Sequence, residues 1–273
     1  MKNIWVPVSG QIAQQRKVET IANNIANANT SGFKRDEITF KEHLTALSKV
    51  PDNIDLPRKE WSPDDFYRSQ GAENAYVKVD GTYTDFQQGA LKPTGNPLDL
   101  GLFGNGLFEV LTPNGVRYTR KGIFNLNKSG EIVNESGFKL LSKVSEGQQL
   151  NQGDIQSRVI KVPNLRQISV SKEGGIFGPQ GQIAAISVVE FKDMHALQKE
   201  GNNLFINNNE NNIERFKTNT SINQGFIEGS NVNAVKEMSE LIKAHRHFET
   251  IQKAVGTYDS LAGRIVNDIA DFK

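Results

Sequence analysis

At 273 residues the chain is long enough for one large domain or two ordinary ones with a real core, which excludes a minimal disulfide-stapled scaffold. Lysine and arginine number 32 against 31 aspartates and glutamates, and a net charge of +1 supplies no whole-molecule field for nucleic acid or anionic lipid. Cysteine is absent, excluding disulfides, thiolate catalysis and Cys-ligated metal centres; the mean hydropathy of −0.49 and the lack of any apolar run near ~20 residues argue against membrane insertion.

At the N-terminus Lys2 is followed only by Ile4 to Val8, broken by Pro7, shorter than the ~7–15 apolar residues of a secretory signal. The chain is expected to stay inside or to leave by another route. Trp5, Val8, Ile12, Val18, Ile21, Ala22, Ile25 and Ala28 then recur mostly at spacings of three and four, the stripe of an amphipathic helix. Thr30, Ser31 and Gly32 end it, because glycine readily takes the left-handed C-cap conformation. Lys49 to Glu73, with Pro51, Pro57 and Pro63 and many charges, reads as an extended linker or projecting loop.

From Ala75 to Gln224 the pattern changes to short β-branched or aromatic runs: Ala75–Val79, Leu107–Thr112, Val116–Thr119, Glu131–Val133, Val159–Val162, Ile168–Ser171 and Ile183–Phe191. Turn chemistry separates them, at Pro113-Asn114-Gly115, Ser129-Gly130, Ser136-Gly137 and Gly178-Pro179-Gln180-Gly181, and predicts antiparallel hairpins. The tract Asn207, Asn208, Asn209, Asn211, Asn212 reads as another loop. Beyond Gly229, with Asn231 and Asn233 as candidate N-caps, Val235, Met238, Leu241, Ile242, His245, Phe248, Ile251, Val255, Tyr258, Leu261, Ile265 and Ile269 keep the three-four spacing for ~35 residues, a helix ~50 Å long. The fold class is therefore α+β: long N- and C-terminal helices forming a coiled-coil-like inner domain, and a central antiparallel β-rich domain. The boundaries fall at 1–36 for the N-terminal helix, 37–74 for the linker, 75–226 for the β-rich domain and 227–273 for the C-terminal helix, which pairs with the first.

The usual catalytic sets do not assemble. His245 and His247 are two residues apart, on different sides of a helix, and fail the i,i+4 geometry of a zinc-binding helix. Gly101, Gly104 and Gly106 reverse the dinucleotide fingerprint and sit between strand-like runs, so they read as hairpin glycines. Neither a nucleophile elbow nor a Walker loop is present. Arg16, Lys17, Lys34 and Arg35 lack the interleaved aromatics that stack bases and read as solvated faces or contacts to a partner. No catalytic, cofactor-binding or metal-ligating residue is assigned, and no cofactor is expected. A wall-active enzyme would need a cleft with paired carboxylates, and an adhesin an exposed aromatic patch on the β-rich domain.

The segment Ile21-Ala22-Asn23-Asn24-Ile25-Ala26-Asn27-Ala28-Asn29-Thr30-Ser31-Gly32-Phe33-Lys34 closely resembles the N-terminal signature of bacterial flagellar rod and hook proteins. Further likeness covers Thr94-Gly95-Asn96-Pro97-Leu98-Asp99, Gly104-Asn105-Gly106-Leu107-Phe108, Tyr118-Thr119-Arg120-Lys121-Gly122 and Gly225-Phe226-Ile227-Glu228-Gly229-Ser230-Asn231-Val232-Asn233. Glu228 to Val235, Glu237-Met238, Arg246, Phe248 and Glu249 look most like the proximal-rod members that adjoin the distal rod, with the distal-rod protein as runner-up.

The resemblance implies a non-enzymatic axial subunit of the flagellar basal-body rod, delivered without a cleaved signal by the type III export apparatus and built into the torque-transmitting driveshaft across the periplasm. Partners would be other proximal- and distal-rod proteins, copies of itself and the export apparatus, with no nucleic acid, small-molecule substrate or membrane insertion. The terminal helices would then self-assemble into an inner coiled-coil tube. The expected assembly interface, from the helical stripes and the family motifs, is Val18, Ile21, Asn24, Ile25, Asn27, Asn29, Gly32, Phe33, Asn231, Asn233, Met238, Ile242, Phe248 and Val255. Asparagine amides in such a seam could fix register, as buried polar groups do in coiled coils.

Overall fold

A computed structural model of the chain describes residues 5–44, 75–144, 155–162, 168–215 and 219–270; the Lys49 to Glu73 stretch lies outside the described residues. The chain forms two compact units. Within the described residues the first contains 5–25, 36–44, 75–83 and 234–270, and the second 26–35, 84–144, 155–162, 168–215 and 219–233.

In the first unit, α1 (Trp5–Ala26) accepts Pro7 in its first turn, where the missing N–H has no intrahelical partner to lose. A two-stranded ribbon pairs β1 (Asp36–Leu44) with β2 (Ala75–Thr84). Thr39 Oγ1 donates to the Gly81 carbonyl at 3.1 Å, Tyr83 donates to Glu37, and the Val77 amide donates to Ser9 Oγ of α1 at 3.2 Å. β1 thus occupies the start of the 37–74 segment read from sequence as linker.

At the far end of the chain α2 (Ala234–Ala270) runs 37 residues, about 55 Å at the α-helical rise. A Cβ on Gly10 would lie 3.8 Å from Ile251 Cδ1, and Asn24 Nδ2 reaches Glu237 Oε2 at 3.4 Å. Advancing along α1 therefore retreats along α2, and the helices run antiparallel. The covered face coincides only in part with the apolar stripe of the sequence: Ile21 is buried along with Ala13, Asn24, Glu237 and Ala244, whereas Trp5 and Ile12 are exposed.

The second unit is antiparallel β structure with two hydrophobic clusters. Its strands are β3 (Leu91–Pro93), β4 (Leu100–Phe103), β5 (Leu107–Thr112), β6 (Gly115–Thr119), β7 (Phe124–Leu126), β8 (Ile132–Asn134) and β9 (Lys139–Leu140). They continue as β10 (Ser169–Val170), β11 (Gly175–Gly178), β12 (Gly181–Ala185), β13 (Val188–Phe191), β14 (Gln198–Gly201) and β15 (Leu204–Ile206), then β16 (Ile213–Glu214), β17 (Ser221–Gln224) and β18 (Phe226–Glu228). The main sheet runs β14-β15-β6-β5-β9-β8-β7, with β13 pairing both β5 and β16. β10, β11 and β12 make a separate sheet, and β17 pairs β4 as β18 pairs β3.

β5 is buried on both faces, since alternate side chains of a strand point to opposite sides. Phe108 and Val110 join the larger cluster with Leu100, Leu102, Phe124, Leu140 and Ile222; Leu107 joins Tyr118, Val189, Phe191, Leu197 and Phe205 on the other side. Phe108 meets Phe124 edge-on at 5.3 Å, and Tyr118 meets Phe191 at 4.9 Å. The β5–β6 hairpin closes over Pro113-Asn114, pairing Thr112 with Gly115 at a φ of 103° that a side-chain-bearing residue rarely adopts.

Three details differ from the sequence reading. Ile183–Phe191 is two strands in different sheets, β12 and β13, broken at Ile186 and Ser187. Val159–Val162 supplies bridges, Glu131 with Lys161 and Leu141 with Val159, rather than a named strand. Within the Asn-rich tract, Glu210–Asn212 is a 3-10 turn whose Asn212 is buried, its side-chain Nδ2 donating to the Asp193 carbonyl at 2.8 Å.

Candidate functional site

The motif segments, remote in sequence, meet inside the second unit. Gly32 takes φ +67°, and a Cβ there would lie 2.6 Å from the Lys121 amide nitrogen, so only glycine lets this segment lie against 120–121. The Gly32 amide donates to the Glu228 carbonyl at 2.8 Å. Phe33 is buried, with the Lys199 ammonium 4.4 Å from its ring centroid. Lys34, only 2% exposed, donates to Glu228 Oε1 at 2.8 Å and to the Gln87 and Phe86 carbonyls at 2.7 and 3.4 Å.

Glu228 ends β18 and is fully enclosed. Its carboxylate also accepts from Arg120 Nε and, at 2.8 Å, from the Gly89 amide. Arg120 spends its remaining donors on backbone: the Gly106 carbonyl, Gly104 at 2.6 Å and Leu102 at 3.2 Å. The Gly101-Gly104-Gly106 run thus provides carbonyls for a buried guanidinium as well as a turn. Two cations share one carboxylate, and five carbonyls supply the remaining compensation that burial of charge demands. Burial pulls the Lys34 ammonium below its ordinary value of 10.5, with Glu228 opposing that shift.

Asn231, read from sequence as a candidate N-cap, instead ties backbone together. Its Oδ1 accepts from the Arg35 amide at 2.7 Å, its Nδ2 donates to the Asp85 carbonyl at 2.8 Å, and its own amide donates to the Phe33 carbonyl at 3.4 Å. Asn233 immediately precedes Ala234, the first residue of α2. The Thr94–Asp99 motif closes nearby in the chain's path: Thr94 Oγ1 and Asn96 Nδ2 donate to the Asp99 carboxylate at 2.6 and 3.1 Å, and the Gly225 amide donates to the Asp99 carbonyl at 2.7 Å. A second buried carboxylate, Glu109 of β5, accepts from Arg158, from Ser187 Oγ at 2.7 Å and from Arg215 at 3.2 Å. Burial, then the Glu109 charge, push the Tyr118 phenol up to about 12.

The residues expected at the assembly interface divide into several environments. Gly32 and Phe33 lie within the second unit's interior with Lys34, and Asn231 is half-buried beside them. In the first unit Ile21 and Asn24 are buried and Val18 and Ile25 half-buried. Asn24 commits its amide within the chain, donating to the Asp36 carbonyl at 2.9 Å and accepting from the Asp36 amide at 3.0 Å. Asn27 accepts from Thr30 Oγ1 at 3.2 Å at the end of α1, while Asn29 and Asn233 are exposed.

α2 presents two rows. Glu237, Leu241, Ala244, Phe248, Ile251 and Val255, spaced by four and three, are buried or half-buried. One position round the helix, Val235, Met238 and Ile242 are 75%, 51% and 55% exposed. His245 belongs to that exposed side, 3.5 Å from Glu249, rather than to a packed stripe. Among the described residues no group of three or more potential ligands is placed to hold a metal ion, and no helix is long and apolar enough to cross a membrane.

Sequence reasoning missed Glu228 and Arg120 as charged residues at the centre of the site, and it read Lys34 as solvated or partner-facing. The available signal was their position inside three separate glycine-containing motifs, since a buried charge needs backbone close at hand.

Such an arrangement defines a class: a helix-flanked β protein organised around the segments that lead to its own two ends. Comparison with known proteins gives the class a family. Residues 5–34 match the model described as flagella basal body rod protein, 102–178 the flagellar hook protein FlgE/F/G D1 domain, and 223–268 the flagellar basal body rod FlgEFG protein C-terminal region. The chain is similar to the flagellar basal-body rod protein FlgF of Caulobacter vibrioides, 30% identical across 92% of this chain and 90% of that one. It is also similar to FlgG of the same organism, at 32% across 96% and 97%, and to FlgG of Borreliella burgdorferi, at 29% across 98% of each. The chain belongs to the flagellar basal-body rod protein family.

Proposed function

We infer that the protein is a structural subunit of the bacterial flagellar basal-body rod, serving motility by mechanical assembly rather than by catalysis. Its finer assignment is the proximal rod, supported by the Glu228 to Val235 motif; a distal-rod or hook-family axial subunit is the alternative, favoured by the equally extensive likeness to FlgG proteins. The observation that carries the assembly reading is the exposed Val235, Met238 and Ile242 row beside the covered row of α2. Covering such side chains is worth about 1.5–3 kcal/mol each, and a neighbouring subunit's helix of matching periodicity is the natural cover. Of the expected interface residues, Met238 and Ile242 are the exposed apolar ones left to neighbours, while Asn24, Gly32, Phe33 and Asn231 hold the subunit in the shape that assembles.

Partners in this reading are other rod subunits and further copies of the chain. Delivery is by the flagellar export apparatus without a cleaved signal, and the location is the rod where it crosses the periplasm. The test is purification of intact hook–basal bodies from cells carrying an epitope-tagged copy, with immunogold labelling and intact-mass analysis. Label confined to the rod, on a chain of full mass, is expected. Absence from the particles, or a processed N-terminus, would contradict the assignment or the export route respectively.

A further inference from the structure

The segment 31–35 is held as a bound peptide is held. Backbone contacts are made in succession: Asn203 Nδ2 donates to the Ser31 carbonyl at 3.2 Å, and the Glu228 carbonyl accepts from the Gly32 amide at 2.8 Å. Lys199 Nζ donates to the Lys34 carbonyl at 2.6 Å, Asn231 Oδ1 accepts from the Arg35 amide at 2.7 Å, and the Asp85 amide donates to the Arg35 carbonyl at 2.8 Å. Side-chain selectivity is superimposed. Position 32 excludes any Cβ through the Lys121 backbone, position 33 buries a ring under the Lys199 ammonium, and position 34 delivers an ammonium to a carboxylate with no exposed surface.

Peptide sites commonly combine main-chain hydrogen bonds for affinity with pockets for side-chain choice. We propose that the β-rich unit carries a built peptide-binding site that reads Gly-Phe-Lys, filled in the free chain by its own Gly32-Phe33-Lys34 and able to take the same sequence from a second copy. The groups named above recognise local features of the segment, so a copy supplied in trans satisfies them equally, which is the condition for exchange of an element between subunits. The inference concerns the binding chemistry of this unit and does not depend on the rod assignment.

The test uses the full chain with its own segment expelled in two ways. Lys34→Glu opposes Glu228 with a like charge, and Gly32→Val drives a side chain into the Lys121 backbone while leaving every charge in place. A fluorescein-labelled peptide spanning residues 27–36 is titrated with each protein and followed by anisotropy, with circular dichroism reporting the β structure. Both variants are expected to bind the peptide saturably, the wild-type chain at least about tenfold more weakly because its site is filled. A peptide carrying Lys34→Glu should bind neither variant. Folded variants that do not bind, equal binding of both peptides, or loss of β structure in both variants would each overturn the proposal, the last because the segment would then be an integral part of the core rather than a ligand.

Discussion

Glu228 answers to Lys34, to Arg120 and to the Gly89 amide at once, which makes this buried clasp of Lys34, Glu228 and Arg120 asymmetric under mutation. Glu228→Gln leaves two buried cations without their counter-charge and should cost roughly 3–5 kcal/mol. Lys34→Met removes one cation and keeps the Glu228–Arg120 pair, forfeiting chiefly its hydrogen bonds to carbonyls, so about 1–3 kcal/mol is expected. Urea denaturation of the two variants checks the order; Lys34→Met being the costlier would contradict the account. None of this was legible in sequence, because Lys34 and Glu228 are 194 positions apart and a lysine beside an arginine ordinarily marks a solvated face.

Tyr118 supplies a pH dependence of definite sign. Its phenol is raised to about 12 by burial and by Glu109, so the folded chain keeps a proton that the unfolded chain loses near its ordinary value of 10.0. The contribution is fully present below that ordinary value and is lost as pH rises through about 12, an effect of roughly 2–3 kcal/mol. Tyr118→Phe should therefore flatten the fall in urea stability between about pH 9 and about pH 11.5. An unchanged slope would show that Tyr118 titrates normally.

At the scale of elements, both helices were legible because three-four periodicity persists over many turns, but their contact face was not. α1 and α2 meet at Gly10 with Ile251 and at Asn24 with Glu237, and the other fully buried positions of the two helices are Ala13, Ile21 and Ala244. Small and polar residues allow close approach while adding little apolar signal, so hydrophobicity selected covered positions such as Ile21, Phe248 and Ile251 together with exposed ones such as Ile12, Met238 and Ile242. Several short strands escaped for a related reason: β3, β4, β17 and β18 hold three or four residues each and are fixed by partners more than a hundred residues away. One consequence concerns Gly10, whose Cβ position is in ordinary contact range of Ile251. Gly10→Ala should gain up to about 1 kcal/mol through helix propensity, read as a raised melting temperature; a clear loss would mean that the helices pack more tightly there.

Across the whole molecule, sequence motifs identified the family before geometry was known, yet the units interleave the chain in a way no local pattern reveals. Residues 26–35 belong to the β-rich unit although they continue the N-terminal signature, and β1 and most of β2 belong with the helices. Both facts arise from long-range pairing. The proposed function separates fold from assembly: the clasp and the two β clusters hold the subunit's form, and in that proposal the open row of α2 takes the neighbouring subunit.

The double variant Met238→Asp, Ile242→Asp tests that separation most directly, because both side chains are more than half exposed and surface changes away from packed contacts typically shift stability by within about 0.5 kcal/mol. The measurement is rod completion and swimming in cells whose sole copy carries the double variant, with the purified protein's melting compared alongside. The account predicts wild-type melting with incomplete rods and no swimming; normal rods and swimming would contradict it.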